Sequence, residues 1–244
     1  MWVFCCGMQR SGSTLQFQVT AKLVEAAGLG RRVEWVKPAQ FPELRDQLAA
    51  EAGWKVFKIH VCTPEMEAEF HRNNAMGVHT YRDLRDVFVS TMRKYQRTFD
   101  QLIASGFLAL CLEQHQQWTS LPHVLTTRYE DMIADLPAEV ERLAAHLGIE
   151  VSADTCRQIA NEHSIDRQRA RIEEAIQTGD LREGVLKGMF YNPVTNLHTD
   201  HIHEGAVGAW AHILDAAQIE RLEAEAGDWL IEHGYELAGG KTSE

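Results

Sequence analysis

Basic residues are scarce in this sequence: 24 Lys and Arg stand against 35 Asp and Glu, a formal net charge of −11 with histidine neutral. A general nucleic-acid binder needs a basic face to neutralise phosphates, so that class is excluded. Cysteine is scarce too, five residues with no CxxC spacing. An odd, unpatterned set gives no disulfide framework and reads as reduced thiols of a cytoplasmic protein. Adjacent Cys5 and Cys6 should point to opposite faces of a strand. Long apolar runs are missing as well. The longest, Trp2 to Cys6 and Phe107 to Leu112, fall far short of the roughly 20 residues a membrane helix needs. No basic segment precedes the first, so neither a membrane span nor a secretory signal is expected. What is present, 45% hydrophobic and 24% charged residues in 244, fits one globular domain over residues 1–244. An anionic ligand would have to be held by local positive charge.

Strand and helix patterns alternate along the chain. Apolar runs at Trp2 to Cys6, Arg32 to Lys37, Trp54 to His60, Gly77 to Tyr81 and Val124 to Tyr129 read as strands. Helical periodicity covers Ser13 to Ala27, a stretch from Pro42 with Leu44, Leu48 and Ala52 on one face, Pro64 to Asn74, and Leu84 to Tyr95. It returns over Phe99 to Trp118, Pro137 to Leu147, Ser152 to Glu174 and Asp215 to His233, while Gly179 to Gly208 shows none. Such alternation predicts a three-layer α/β domain with a central, mainly parallel sheet.

Between the first strand and first helix, Gly7 to Thr14 reads GMQRSGST. That is where backbone N–H groups and a helix N-terminus make an anion site. Against GxxxxGK[ST], Gly7, Gly12 and Thr14 fit, but Ser13 stands where the nucleotide-triphosphate loop has Lys. The positive charge lies three residues earlier, at Arg10. A kinase or NTPase would also need a Mg²⁺-holding acid at a neighbouring strand end, for which Asp83 is the candidate. A P-loop kinase or NTPase is therefore the alternative reading of this loop.

Four segments in order, RSGST at Arg10 to Thr14, YRDLRDVFVS at Tyr81 to Ser90, TRYEDM at Thr127 to Met132 and HEGAVGAW at His203 to Trp210, resemble the sulfotransferases that use 3′-phosphoadenosine 5′-phosphosulfate (PAPS). The resemblance implies a P-loop-like loop in which Arg10, Ser11, Gly12, Ser13 and Thr14 bind the 5′-phosphosulfate. It implies 3′-phosphate contacts from Arg82 and Ser90, an adenine contact from Tyr129, and no metal. Arg10 suits such a loop because it stays charged and offers a planar fork of donors. Arg85, Arg93, Lys94 and Arg97, on the helix that follows Arg82, read as a solvated face. Tyr129 also reads as a residue packed under the sheet end, and Glu130 and Asp131 as supports for the next turn.

Sulfuryl transfer needs an activated nucleophile, an in-line arrangement and positive charge where the phosphate leaves. Lys58 and His60 alternate at the end of the third strand. They resemble the KxH of cytosolic sulfotransferases, which implies His60 as general base and Lys58, with Arg10, stabilising the transferred group. An ordinary imidazole pKa near 6.5 suits that role. The other readings are a polar residue closing the strand and Glu65 as base. At the C-terminal motif many members carry a basic pair, where this chain has His203 and Glu204, followed by Gly205, whose N–H is left to bind phosphate. Glu204 raises the possibility of a nucleotide-binding relative that has lost catalysis. Close-set His198, Asp200, His201 and His203 invite a metal reading, but lie in an irregular stretch that reads better as a flap over the donor. The acceptor is expected to be shaped by residues 61–74, 95–107 and 164–196. With a net charge of −11, it is expected to be a small neutral or cationic molecule bearing a hydroxyl or amine.

Overall fold

Strand β1 (Trp2–Gly7) is buried along its whole length because it lies at the centre of a five-stranded parallel sheet. The computed structural model describes residues 1–184, 188–193, 195–199 and 206–240. The order continues with α1 (Ser13–Ala26), β2 (Gly30–Trp35), α2 (Phe41–Leu48), β3 (Trp54–Lys58), α3 (Pro64–His71), β4 (Ala75–Tyr81), α4 (Leu84–Tyr95), α5 (Phe99–Ala104), α6 (Phe107–Thr119) and β5 (Val124–Arg128). After these come α7 (Tyr129–Ala134), α8 (Leu136–Leu147), α9 (Ala153–Glu162), α10 (Ile165–Thr178), the short strands β6 (Arg182–Glu183) and β7 (Phe190–Tyr191), and α11 (Ala216–Glu232). The sheet runs β2-β3-β1-β4-β5, with all four pairings parallel.

The alternation along β1 divides the core. Val3 and Cys5 face a cluster with Phe17, Leu23, Val140 and Leu143. Phe4 and Cys6 face the other side, among Phe41, Phe57, Phe70 and Trp118. The adjacent cysteines do point to opposite faces, and all five cysteines are free and buried. Because β3 and β4 flank β1 on opposite sides, the chain leaves the carboxyl ends of these strands in diverging directions. That divergence opens a crevice, the usual ligand position in an open α/β sheet. No helix among the described residues is long and apolar enough to cross a membrane.

Several boundaries differ from the sequence pattern. Gly106, at φ 72°, separates α5 from α6, since the left-handed region ends one helix and turns the chain into the next. His163 and Ser164 likewise divide α9 from α10, where Ser164 caps the new helix through the Arg167 N–H. The helix after Pro42 stops at Leu48, short of Ala52. Tyr129 opens α7 rather than closing β5. The aperiodic stretch from Gly179 contains the antiparallel pair Arg182↔Tyr191 and Glu183↔Phe190.

Three histidines join β4 to α6 and to the end of α11. The Trp229 carbonyl, 2.8 Å from His233 Nδ1, can only accept, so Nδ1 carries the proton and Nε2 is an acceptor. His115 Nε2, 3.0 Å away, must donate to it, and His79 Nε2 donates in turn to His115 Nδ1 at 3.1 Å. One backbone carbonyl thus orients the hydrogen bonds that run through three imidazoles. Burial first, and then the neighbouring rings, hold His79 well below the usual histidine range, and burial with His233 lowers His115 to about 4.

Candidate active site

The loop after β1 is shaped by three residues with different tasks. The Ser11 hydroxyl lies 2.7 Å from the Met8 carbonyl and 2.9 Å from the Thr80 hydroxyl. It fastens the loop to β4, and Ser11 is not among the residues that line the cavity. Gly12 sits at φ 85°, and an added Cβ would come 2.7 Å from both Tyr129 and Met132. Backbone conformation and close approach both require glycine here. No side chain caps α1 at Gly12, so its first N–H groups remain available, the arrangement that favours an anion. Arg10, a non-glycine residue at φ 67°, donates through Nε to the Ser90 hydroxyl at 2.9 Å. Two motifs 80 residues apart in sequence thereby meet.

Lys58 ends β3 beside this loop and donates to the Thr14 hydroxyl. Burial, followed by the charges of Arg10 and Lys94, lowers its pKa to about 7. His60 donates from Nδ1 to the Gly7 carbonyl at 2.8 Å, which leaves Nε2 as the unprotonated nitrogen. Its backbone carbonyl accepts from Trp118 Nε1 at 2.8 Å, so the residue is fixed through both its ring and its main chain. Burial, then Lys58, lowers its pKa to about 4. The ordinary value near 6.5 used in reading the sequence does not apply, because the imidazolium would be desolvated beside a cation.

Arg82 leaves β4 and is buried between Tyr129, whose ring centroid lies 4.4 Å from the guanidinium, and Asp86 at 3.1 Å. Its Nη2 also donates to the Ala206 carbonyl at 2.7 Å. Tyr129 therefore packs under Arg82 and also lines the cavity. Glu130 accepts from the Tyr235 hydroxyl at 2.9 Å and supports the turn. Arg85 is not solvated: it is 2% exposed, bonded through two nitrogens to Asp83 and to Glu223, and stacked 3.8 Å over Trp210. Lys94 is also buried rather than part of an exposed face, because α4 turns that side toward the crevice. Asp83 caps α4 through the Arg85 N–H at 2.9 Å. With both oxygens committed to Arg85, it is poorly suited to the Mg²⁺ role of a kinase.

Sequence reasoning missed Asp86. Only 1% exposed, it accepts from the N–H groups of Gly208 at 2.9 Å and Trp210 at 3.0 Å as well as from Arg82. The spacing RDLRD places it one helical turn after Arg82, but nothing local marks its partners 122 and 124 residues away. Asp86→Ala is expected to lower unfolding free energy by about 3–5 kcal/mol, the usual cost of stranding a buried charge. Urea denaturation checks this, and Asp86→Asn, which keeps acceptor capacity, should lose less.

These residues converge on one cavity of about 700 Å³, lined among others by Arg10, Gly12, Ser13, Thr14, Lys58, His60, Arg82, Ser90, Lys94 and Tyr129. Glu65 is absent from its lining and exposed. Of the segments expected to shape an acceptor site, Tyr95, Ile165, Gln168, Glu183, Gly184, Met189, Tyr191 and Asn196 line it, and no residue of 61–74 does. His203, Glu204 and Gly205 lie outside the described residues, as do Asp200 and His201.

Residues 2–232 match the family described as the sulfotransferase domain. Among curated proteins none matches the chain. Solved structures with the same fold include retinol dehydratase in complex with androsterone and inactive cofactor PAP. That chain is 19% identical, with 98% of this chain and 83% of the other covered and a TM-score of 0.64. Mouse sulfotransferase SULT7A1 complexed with PAP is 17% identical, with 96% and 89% covered and a TM-score of 0.67.

Proposed function

Because the chain belongs to the sulfotransferase domain family, it is a sulfuryl-transfer enzyme, and we propose that it moves the sulfuryl group of PAPS to a hydroxyl or amine of a small molecule. The observation that carries this reading is the convergence of Arg10, Lys58 and the uncapped start of α1 on the same cavity as His60. Sulfotransferase neighbours with PAP bound support the choice of donor. Thr14, Ser13 and the α1 N–H groups would hold the 5′-phosphosulfate, while Arg82 and Ser90 would take the 3′-phosphate. The Gly205 N–H is proposed to add a phosphate contact. The acceptor oxygen or nitrogen attacks sulfur as the bond from sulfur to the bridging phosphate oxygen breaks. His60 Nε2 takes the acceptor proton, and the Lys58 and Arg10 cations stabilise the charge growing on the leaving phosphate. The transferred group carries less charge than a phosphoryl group, so side-chain cations suffice for these steps.

This reading includes one domain over residues 1–244 and a cytoplasmic location, the latter supported by five free, buried cysteines. Its test is twofold. Thermal stabilisation by 3′,5′-bisphosphoadenosine but not by ATP with Mg²⁺ is expected, together with transfer of labelled sulfate from PAPS to phenolic acceptors. Stabilisation by ATP with Mg²⁺ instead would favour the kinase reading. Tight binding of the bisphosphate with no transfer across a broad acceptor panel would favour a relative without catalysis.

A further inference from the structure

Of the six tryptophans Trp35 alone is exposed, at 38%, and it lines the cavity that holds Lys58 and His60. A break in the regular ladder at the edge of the sheet puts it there. Strand β2 pairs with β3 through Arg32↔Val56 and then through Trp35↔Lys58, three steps along β2 against two along β3. A regular ladder from Arg32 would bring Glu34 opposite Lys58. The extra residue, a device that re-aims side chains beside active sites, brings Trp35 there instead. Val33 and Val36 record the same shift. Three apart, they would face opposite sides of a regular strand, yet both pack into the cluster with Phe41 and Phe57. Trp35, next to Val36, is therefore turned to the other face of the sheet, the one that carries Lys58. Among the described residues no ring packs against its indole.

The sheet order sets Trp35 apart from the proposed donor contacts. Arg82, Ser90 and Tyr129 follow β4 and β5, whereas β2 is the opposite edge. Lys58 and His60 lie between, which leaves the β2 side of the cavity for the acceptor. Neighbouring strands are about 5 Å apart, so the indole stands one strand spacing from Lys58, within reach of a ring whose hydroxyl meets His60. We propose that Trp35 is the specificity-determining residue of the acceptor site: a flat ring bearing the reacting hydroxyl lies against its indole. The proposal rests on the sulfuryl-transfer reading and narrows its acceptor to aryl hydroxyl compounds. An indole gains offset or edge-to-face stacking only against another ring. His60, lowered to about 4, is a weak base, and it takes a proton more readily from an aryl hydroxyl, about 10 in tyrosine, than from a less acidic alkyl hydroxyl.

The test compares binding of 2-naphthol and decahydro-2-naphthol, both neutral, which share a skeleton and a hydroxyl and differ in flatness. Binding transfers no proton, so hydroxyl acidity does not enter. Calorimetric titration, with and without 3′,5′-bisphosphoadenosine, is expected to show the naphthol bound about threefold to tenfold more tightly by wild type, the gain typical of an aromatic pair. Trp35→Leu, apolar but without a ring face, should bring that ratio near unity, and Trp35→Phe should retain most of it. In transfer of labelled sulfate, Trp35→Leu should raise the KM for 2-naphthol by a similar factor. Both variants should keep the wild-type Tm, because the residue is exposed on an edge strand. Equal binding of the two compounds by wild type, a preference that survives Trp35→Leu, or no binding of either compound would overturn the proposal. A naphthol preference that Trp35→Leu abolishes supports it even where the bisphosphate has no effect, a result that would count against the donor reading alone.

Discussion

Lys58→Met is expected to lower kcat for sulfuryl transfer by about 10²–10³-fold, the loss typical when one group stabilising a developing anion is removed. The substitution keeps an unbranched stem in the channel beside Thr14 and removes only the ammonium. Free of ligand, that ammonium is costly, because it is buried beside Arg10 and Lys94, and its pKa falls to about 7. Between about 7 and the unfolded value of 10.5 the unfolded chain binds a proton that the folded one does not. Stability of the free protein should therefore rise with pH across that window, and Lys58→Met should flatten the rise. A bound bisphosphate reverses the balance by favouring the charged lysine. Titration of 3′,5′-bisphosphoadenosine near pH 8, in buffers of different ionisation enthalpy, should show uptake of close to one proton, absent in Lys58→Met. The kcat/KM profile for the donor should likewise fall on the alkaline side near 7 and on the acid side near 4, where His60 protonates. An unchanged rate, or proton uptake that survives the substitution, would remove Lys58 from the proposed role.

Acid should unfold the protein early, and the reason lies away from the cavity. His115 has a folded pKa of about 4 against about 6.5 unfolded, so below the unfolded value the unfolded chain binds the extra proton. Stability is lost as pH falls through that window, by on the order of 3 kcal/mol from this one residue. His79 adds to the loss in the same direction. A proton on His115 Nδ1 would also set two N–H groups against each other in a chain whose direction is fixed by the Trp229 carbonyl. Urea midpoints measured between pH 7 and 4 should fall steeply, and His115→Gln should shrink the slope whatever it does to stability at pH 7. A slope equal to that of wild type would show that the relay does not govern acid stability.

Much of the fold was legible because its signals are local. Strands β1, β3 and β4 carry short runs of apolar residues, and several flanking helices carry a stripe at helical spacing. The anion loop could be read from Gly12, Arg10 and their place between a strand and a helix, and Lys58 and His60 from their alternation. Hidden were the interactions that join distant segments: Asp86 with Gly208 and Trp210, Arg85 with Glu223, and His79 with His115 and His233. A helical wheel cannot tell an exposed basic face from one turned into a crevice, and so Arg85 and Lys94 were read as solvated.

The sequence alone determined the alternating α/β architecture, the position of the anion loop and the family, since all three depend on residue type at short spacing. The tertiary structure decided which charges are desolvated. That distinction turns Lys58 into a titrating group near neutrality, His60 into a weak base, and Ser11 into a fastener of the loop. It could not be read from the chain because burial and electrostatic coupling depend on neighbours brought together only by the sheet order β2-β3-β1-β4-β5.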